Sequence, residues 1–188
     1  SDTPWYDHRY SIKKLHISQG VHGIDSYAFR YLRSLREVDC LSDDLTGVLN
    51  CAFSECTNLT ELDFLDHTTI ISTAAFEGCT GIESCVIPEG VEYLSYSLFE
   101  GCSRLATVDL PESLIYIDEE VFAYCHRLTS IEIPQNVVEL GARFLYDCTG
   151  LTELTIPAGV LSIGDEAMSG CVRLKKIVFE GDAPSFGS

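Results

Sequence analysis

Nine cysteines are the residues of this chain with the most distinctive chemistry, and six of them are spaced at one regular interval. Thiols one interval apart could lie within ligand or disulfide distance of each other. Zinc sites, however, are built from clusters such as paired C-x-x-C motifs, and the sequence contains no such pair. We therefore predict buried thiols that donate weakly to loop carbonyls, with no metal and no cofactor. The six, each 23 residues from the next, are Cys56, Cys79, Cys102, Cys125, Cys148 and Cys171.

Motifs of catalysis are missing from the sequence. The five histidines fall at different positions of the interval, so that stacking does not gather them. The sequence also contains no nucleophile motif, no phosphate-binding glycine loop and no H-E-x-x-H. We predict no catalytic residues. An enzyme whose site is assembled by the fold alone is the least supported hypothesis.

Four carboxylates in consecutive units form the first candidate binding surface: Glu37, Asp39, Glu61 and Asp63. We expect them at outward positions of two adjacent strands, where like charges about 5 Å apart repel each other. A bound cation or a basic partner would relieve that repulsion. We favour the basic partner, because tight calcium sites wrap 6 to 8 oxygens around the ion and a flat sheet offers few. The alternative is a solvated acidic face on an acidic protein.

Two tyrosines form the second candidate binding surface. Tyr93 and Tyr116 stand at equivalent positions in adjacent units and could offer an aromatic ledge to a sugar or a peptide. The alternative is that they have no binding role, since single apolar groups are common on protein surfaces.

A unit of 23 residues, which occurs seven times in the sequence, determines where the cysteines and the candidate binding residues lie. In the unit 89–111, Val108 and Leu110 alternate with the polar Thr107 and Asp109, which predicts a strand that Pro111 ends. The full units are residues 19–41, 43–65, 66–88, 89–111, 112–134, 135–157 and 158–180, with Ser42 inserted once.

The other half of each unit has a helical pattern. Ser95 is a candidate N-cap, Gly101 stands near the C-terminal end, and Leu98, Phe99 and Cys102 lie at helical spacing. This pattern predicts one or two helical turns. Because each unit repeats in the same direction, the strands must pair in parallel along the array.

The predicted fold is an α/β solenoid with a parallel β-sheet on one face and short helical turns on the other. We expect one domain over residues 1–188. Residues 1–18 form an N-terminal cap, in which Trp5, Tyr6 and Tyr10 cover the end of the core, and residues 19–180 form the seven repeats. The remaining residues, 181–188, are a C-terminal tail that we expect to be truncated.

The complete unit reads C-x-x-L-x-x-[VIL]-x-[IL]-P-x-x-V-x-x-I-x-x-x-[AV]-F-x-x, with FEGC at 76–79 and again at 99–102. It resembles the leucine-rich repeats of the BspA-like family of bacterial surface proteins. The resemblance implies a secreted or cell-surface module, often one part of a longer chain, that is used in adhesion. No catalytic residue belongs to the family motif, so the resemblance assigns none here.

The net charge of the chain excludes some classes of binding partner. Twelve Lys and Arg against 29 Asp and Glu give a net charge of -17, which repels nucleic acids and anionic membrane surfaces. No apolar run approaches the roughly 18 residues of a spanning helix, so we expect no membrane insertion. We predict a non-enzymatic binding or adhesion module for a protein or glycan partner, and the charge favours a basic one. The alternative is a passive spacer within a larger surface protein.

Overall fold

The chain winds through stacked coils of 23 residues in a computed structural model, which describes residues 5–187. Strands of successive coils pair in parallel and in register, so that Ser84 lies opposite Thr107 and Cys85 opposite Val108. The predicted parallel solenoid is therefore confirmed. Residues 1–4 of the predicted cap and Ser188 of the predicted tail lie outside the described residues.

Two ladders of short strands run along the solenoid. The first contains the predicted strands, which are β1 Lys14–Ile17, β3 Glu37–Cys40, β6 Ser84–Val86, β8 Thr107–Asp109, β11 Glu153–Ile156 and β13 Lys176–Phe179. The second was not predicted and contains the two-residue strands β2 Gly23–Ile24, β4 Gly47–Val48, β5 Ile70–Ile71, β7 Tyr93–Leu94, β9 Tyr116–Ile117, β10 Glu139–Leu140, β12 Ser162–Ile163 and β14 Ser185–Phe186.

The first ladder is interrupted, whereas the second is nearly continuous. In the first, β1 pairs with β3, β6 with β8, and β11 with β13, so the predicted sheet is three separate pairs. The coils at 61–63 and 130–132 contribute no strand to it. In the second, β2, β4 and β5 form one sheet, and β7, β9, β10, β12 and β14 form another.

The prediction of helical turns is wrong. The helices among residues 5–187 are two 3₁₀ helices, Tyr6–His8 and Asp63–Leu65, which are also far too short to cross a membrane. The segment 95–102 instead contains Ser97 at φ 53° and Gly101 at φ 72°. A right-handed helix cannot contain left-handed residues. The same two positions have positive φ in the other coils, at Tyr27 and Tyr31, Cys51 and Glu55, Ala74 and Gly78, Glu120 and Tyr124, Arg143 and Asp147, and Glu166 and Gly170.

Hydrogen bonds between coils explain this conformation. The N–H of Phe99 donates to the carbonyl of Val121 at 2.9 Å, and that of Gly101 donates to the carbonyl of Ala123 at 2.8 Å. An α-helix would use these N–H groups within its own segment. Here they join each turn to the next coil, so the face opposite the strands is also a stacked, hydrogen-bonded surface.

A stack of four phenylalanines runs through the core. Adjacent ring centroids from Phe53 to Phe76 to Phe99 to Phe122 lie 5.7, 5.6 and 5.8 Å apart, and the rings tilt by 8°, 11° and 2°. All four side chains are fully buried. A phenylalanine at the same position of four successive coils thus forms a continuous stack, and each ring contributes on the order of 3–5 kcal/mol to stability.

The six regularly spaced cysteines form a second buried row, which we call the cysteine column. Each thiol donates to a backbone carbonyl 26 or 27 residues earlier, as Cys79 does to Phe53 at 3.2 Å. The prediction of inward thiols bonded to loop carbonyls is confirmed. Burial raises the pKa of Cys56 to about 12 and raises the pKa of Cys102 well above its usual range.

The N-terminal cap differs from its prediction. Trp5 and Tyr10 are exposed. Only Tyr6 packs against the array, with its ring edge-on to Tyr31 at 6.2 Å. Arg9 instead lies over the rings of Tyr6 and Tyr10, at 4.2 and 4.8 Å. The rings of Tyr6 and Tyr10 therefore stack on a guanidinium group, and the exposed Trp5 and Tyr10 do not form the buried cover that was predicted.

Candidate functional site

The first half of the predicted acidic surface is paired with basic groups of the neighbouring strand. Glu37 and Asp39 face outward from β3, and Glu37 Oε1 lies 2.7 Å from Lys14 Nζ on β1. His16 Nδ1 lies 3.0 Å from Asp39 Oδ2. Exposed ion pairs stabilise a fold by only about 0–1 kcal/mol. The pairing with Lys14 nevertheless reduces the charge that Glu37 can offer to a partner, and the hydrogen bond to Glu37 raises the pKa of Lys14.

The second half of that surface does not lie on a strand. Asp63 begins the 3₁₀ helix Asp63–Leu65, and Glu61 precedes it in an irregular segment. Phe64 explains the departure, because its buried ring packs 5.2 Å from that of Phe53 and draws the chain into a turn. The expected arrangement of four carboxylates on two paired strands is therefore wrong. A binding role for the four residues stays a prediction.

The two predicted tyrosines do come together. Tyr93 on β7 and Tyr116 on β9 are register partners in the second ladder. Their ring centroids lie 6.1 Å apart with the planes tilted by 48°. The residues are 45% and 42% exposed, so both rings rest against the array and keep a face open to solvent.

A cleft of about 350 Å³ opens beside these rings. The Tyr93 hydroxyl donates to Asp118 Oδ2 at 2.5 Å, which fixes one ring at the rim. Burial raises the pKa of Tyr93 to about 12, and the bond to Asp118 adds to the effect. We call this the tyrosine cleft and define it by Tyr93, Tyr116, Asp118, Glu119, Glu139 and Gly141.

Glycines let the coils approach closely beneath the tyrosine cleft. A Cβ on Gly141 would stand 2.4 Å from the carbonyl carbon of Asp118, and one on Gly164 would stand 2.3 Å from the amide nitrogen of Ala142. Either contact would force the backbones apart. The two positions thus require glycine, and their backbone forms part of the lining of the cleft.

The tyrosine cleft is acidic. Asp118, Glu119, Glu139 and Asp165 contribute carboxylates to its lining, and no Lys or Arg is among its described lining residues. Sequence reasoning found the tyrosines and missed these acids. Glu139 could have been found, because it stands at the same position of the unit as Tyr93 and Tyr116, one coil further on.

Residues 5–187 contain no group of three or more His, Cys, Asp or Glu side chains that could hold a metal ion. In the cysteine column, the thiols are spaced one per coil and donate to carbonyls. Carboxylate oxygens accept hydrogen bonds, so those of the tyrosine cleft can pair with a positively charged or hydrogen-bonding group.

Comparison with protein families gives a direct match. The model of the BspA type leucine-rich repeat region, with six copies, matches residues 5–128 and 69–188. No curated protein matches the sequence.

Several solved structures have a similar fold. A leucine-rich repeat protein from Eubacterium ventriosum has a TM-score of 0.71 at 19% identity, over 85% of this chain and 43% of its own. The pneumococcal vaccine antigen PcpA has a TM-score of 0.57 at 20% identity, over 94% of this chain and 54% of its own. A leucine-rich cell surface protein from Faecalibacterium prausnitzii has a TM-score of 0.52 at 22% identity, over 93% of this chain and 62% of its own.

The chain thus spans less than two thirds of the length of each of these three proteins. Because the sequence identities to these three proteins are below 25%, the structural similarity shows a shared fold and nothing more. The family match extends over nearly the whole chain and agrees with the coils, the phenylalanine stack and the cysteine column. This chain belongs to the BspA-type leucine-rich repeat family.

Proposed function

We propose that this chain is a non-enzymatic binding module of a bacterial surface protein, and that its tyrosine cleft binds a cationic side chain of a protein partner. One observation carries the proposal: two half-exposed aromatic rings and four carboxylates line one cleft of about 350 Å³. The surface location is supported by the family and by a structural relative described as a cell surface protein.

The chemistry of the cleft favours a cation. A guanidinium or ammonium group over a tyrosine face gains about 0.5–1 kcal/mol when exposed and about 2 kcal/mol or more when desolvated. Nearby carboxylates add charge-assisted hydrogen bonds. The net charge of -17 also steers basic partners towards the protein. Acidic sugars are repelled by the same charges, and the 48° tilt between the rings offers no flat platform for a neutral sugar.

Binding by a panel of labelled ligands tests this proposal. The panel contains hexapeptides of arginine, of serine and of glutamate, together with a series of neutral oligosaccharides. Fluorescence anisotropy should report saturable binding of the arginine peptide only, with an affinity that falls as salt rises because exposed attraction is screened over about 8–10 Å. Binding of oligosaccharides in preference to the arginine peptide would contradict the proposal, and binding of no ligand would favour a passive spacer.

A further inference from the structure

Two arginines at the N-terminal end of the solenoid are held by aromatic rings. The guanidinium carbon of Arg9 lies 4.2 Å from the ring centroid of Tyr6 and 4.8 Å from that of Tyr10. The guanidinium carbon of Arg30 lies 4.6 Å from the ring centroid of Tyr31. The rings of Tyr6 and Tyr31 are in edge contact and join the two groups into one surface. We call this surface the arginine–tyrosine row and define it by Tyr6, Arg9, Tyr10, Tyr27, Arg30 and Tyr31.

Neither guanidinium of the row pairs with a carboxylate within residues 5–187, whereas Arg33, Arg104 and Arg143 each pair with a glutamate. Arg9 donates one bond, from Nη1 to the carbonyl of Tyr6. Arg30 Nε is buried and has no acceptor in the described chain. A guanidinium group has five in-plane N–H donors, so stacking on rings uses its faces and leaves donors at its edge. The positive charges of the row are therefore not neutralised by carboxylates of the described chain.

The charge of the chain changes sign along the solenoid. Residues 1–36 contain six Lys and Arg against three Asp and Glu, whereas residues 37–172 contain three against 24. An anion at the row thus meets an end with net positive charge, and the coils that follow repel it. A long polyanion would extend over those acidic coils. A short acidic segment can stay at the end of the solenoid, so the charge distribution favours it.

The residue types of the row indicate a protein partner. Tyr, Trp and Arg are enriched at the positions that contribute most of the binding energy of protein interfaces. Tyr10, Tyr27 and the nearby Trp5 are exposed, so their rings are open to contact. Carboxylates of Asp and Glu match the planar fork of a guanidinium group and can form two parallel hydrogen bonds with it.

We propose that the arginine–tyrosine row binds a short acidic segment of a protein partner. Glu or Asp side chains of the segment accept hydrogen bonds from Arg9 and Arg30, and neighbouring side chains pack on the exposed tyrosines. This shares with the proposed function only the premise of a protein partner. It concerns a separate surface and a partner segment of opposite charge, since the tyrosine cleft is acidic.

Three short peptides test the charge preference of the row. The ligand is a fluorescein-labelled, end-capped peptide of sequence YEYEY, compared with YQYQY and YKYKY. Fluorescence anisotropy at low salt should report saturable binding of YEYEY and binding of YQYQY that is about fivefold weaker or more, because the amides cannot form charge-assisted bonds. Equal binding of YEYEY and YQYQY would overturn the proposal.

Variants locate the binding on the protein. The double change Arg9→Gln with Arg30→Gln should weaken YEYEY about fivefold or more, since it removes both pairing charges. The matched control, Arg127→Gln with Arg173→Gln, removes the same charge from exposed positions of other coils and should leave the affinity unchanged. Equal weakening by both doubles would reduce the effect to bulk charge and overturn the proposal.

A charge-preserving variant separates binding from damage to the fold. The double change Arg9→Lys with Arg30→Lys keeps both charges but loses the planar fork, so it should recover part of the affinity that the glutamine double loses. Thermal melts identify the variants that stay folded. A folded lysine double that binds YEYEY as weakly as the glutamine double would contradict the charge pairing.

Two other occupants of the row have distinct outcomes. Binding of a heparin-derived hexasaccharide more tightly than YEYEY, lost in the glutamine double, would overturn the proposal in favour of a sulfated glycan. Self-association of the parent in sedimentation velocity, lost in the same variant, would overturn it in favour of a second copy, whose coils 37–172 are acidic. Replacing Tyr93 and Tyr116 should not affect YEYEY, which separates the row from the tyrosine cleft.

Discussion

The thiol of Cys102 donates a hydrogen bond to the backbone carbonyl of Phe76, with 3.3 Å between Sγ and O. Both groups are fully buried, and they belong to successive coils. A small apolar residue with a weak donor thus fills the core and gives the Phe76 carbonyl a second hydrogen bond, beside the one that it accepts from the Cys79 N–H at 3.1 Å. The same bond recurs at each cysteine of the column from Cys56 to Cys171.

Replacing Cys102 with Ala should lower the free energy of unfolding by about 1–2 kcal/mol, because it removes one of the two hydrogen bonds to the Phe76 carbonyl and creates a small cavity. Urea melts of the parent and the variant measure the difference. The control is Cys51→Ala, a cysteine outside the column that is only half-buried, for which we expect a smaller loss. Equal losses of unfolding free energy at Cys102 and Cys51 would show that the hydrogen bond to Phe76 does not stabilise the fold.

Truncating Phe99 to Ala should cost about 3–5 kcal/mol, the usual range for an aromatic core deletion. The ring stacks between those of Phe76 and Phe122, so its removal exposes a face of each neighbour to a cavity. The half-exposed Tyr96 is a suitable control for loss of an aromatic ring. A loss below about 1 kcal/mol for Phe99→Ala in the same melts contradicts the stacking energy assigned to the core.

The inward positions of the phenylalanines and cysteines can be predicted from the sequence, whereas the backbone conformation of the turns cannot. A phenylalanine and a cysteine every 23 residues can only be inward positions of a stacked coil, and the structure places them there. The turn conformation is different. Its left-handed position is occupied by Tyr27, Cys51, Ala74 and Ser97, residue types that do not identify positive φ. Hydrogen bonds to the next coil impose it, so a local helix pattern gave the wrong prediction.

The arrangement of the candidate binding residues was also predictable only in part. Equivalent positions in adjacent units correctly brought Tyr93 and Tyr116 together. The acidic surface did not form as expected, because Phe64 places a buried aromatic ring at an inward position where most other units have a smaller apolar residue. The interruption of the first ladder at residues 130–132 has no signal in the sequence, since Ser130 and Glu132 keep the alternation of a paired strand.

The stability of the fold should fall with pH above about 8.5, where thiols of the unfolded chain begin to ionise. Burial raises the pKa of Cys56 to about 12 and raises those of Cys79, Cys102 and Cys125 well above their usual range. Between about pH 8.5 and the raised pKa values of the folded thiols, the unfolded chain binds fewer protons than the folded chain. The stabilisation is therefore complete below about pH 8.5 and is lost as pH rises, by about 1.4 kcal/mol per thiol per pH unit.

Urea melts between pH 7.5 and 10 measure this slope. The triple variant Cys79→Val, Cys102→Val and Cys125→Val removes three of the titrating groups, and its stability should depend less steeply on pH than that of the parent. Slopes that coincide within error for the parent and the variant would show that other groups govern the alkaline loss.

The half-buried cysteines should react faster with thiol reagents than the buried cysteines of the column. Cys40 and Cys51 are half-buried, whereas the cysteine column is inaccessible and its raised pKa keeps the unreactive thiol form. Titration with an aromatic disulfide reagent at pH 8 should therefore label Cys40 and Cys51 first and the column only on unfolding. Mass spectrometry of peptides identifies the labelled sites, and fast labelling of the column in the folded protein would refute the assignment.

The central claim is that the tyrosine cleft binds a cationic side chain, and the affinity of hexa-arginine for a double variant tests it most directly. Replacing Tyr93 and Tyr116 with Leu keeps apolar bulk and removes the aromatic faces and the hydroxyl bound to Asp118. We expect affinity to fall about tenfold, as for the loss of two cation–π contacts of about 0.5–1 kcal/mol each and their hydrogen-bond support.

The matched control is Tyr96→Leu, which also removes a half-exposed ring whose hydroxyl donates to a carboxylate, that of Glu120 at 2.9 Å. It lies outside the cleft and should bind hexa-arginine like the parent. Thermal melts of each protein confirm that the fold is retained. A tenfold loss for the double variant alone is the predicted result, and unchanged affinity of the folded double variant would contradict the account.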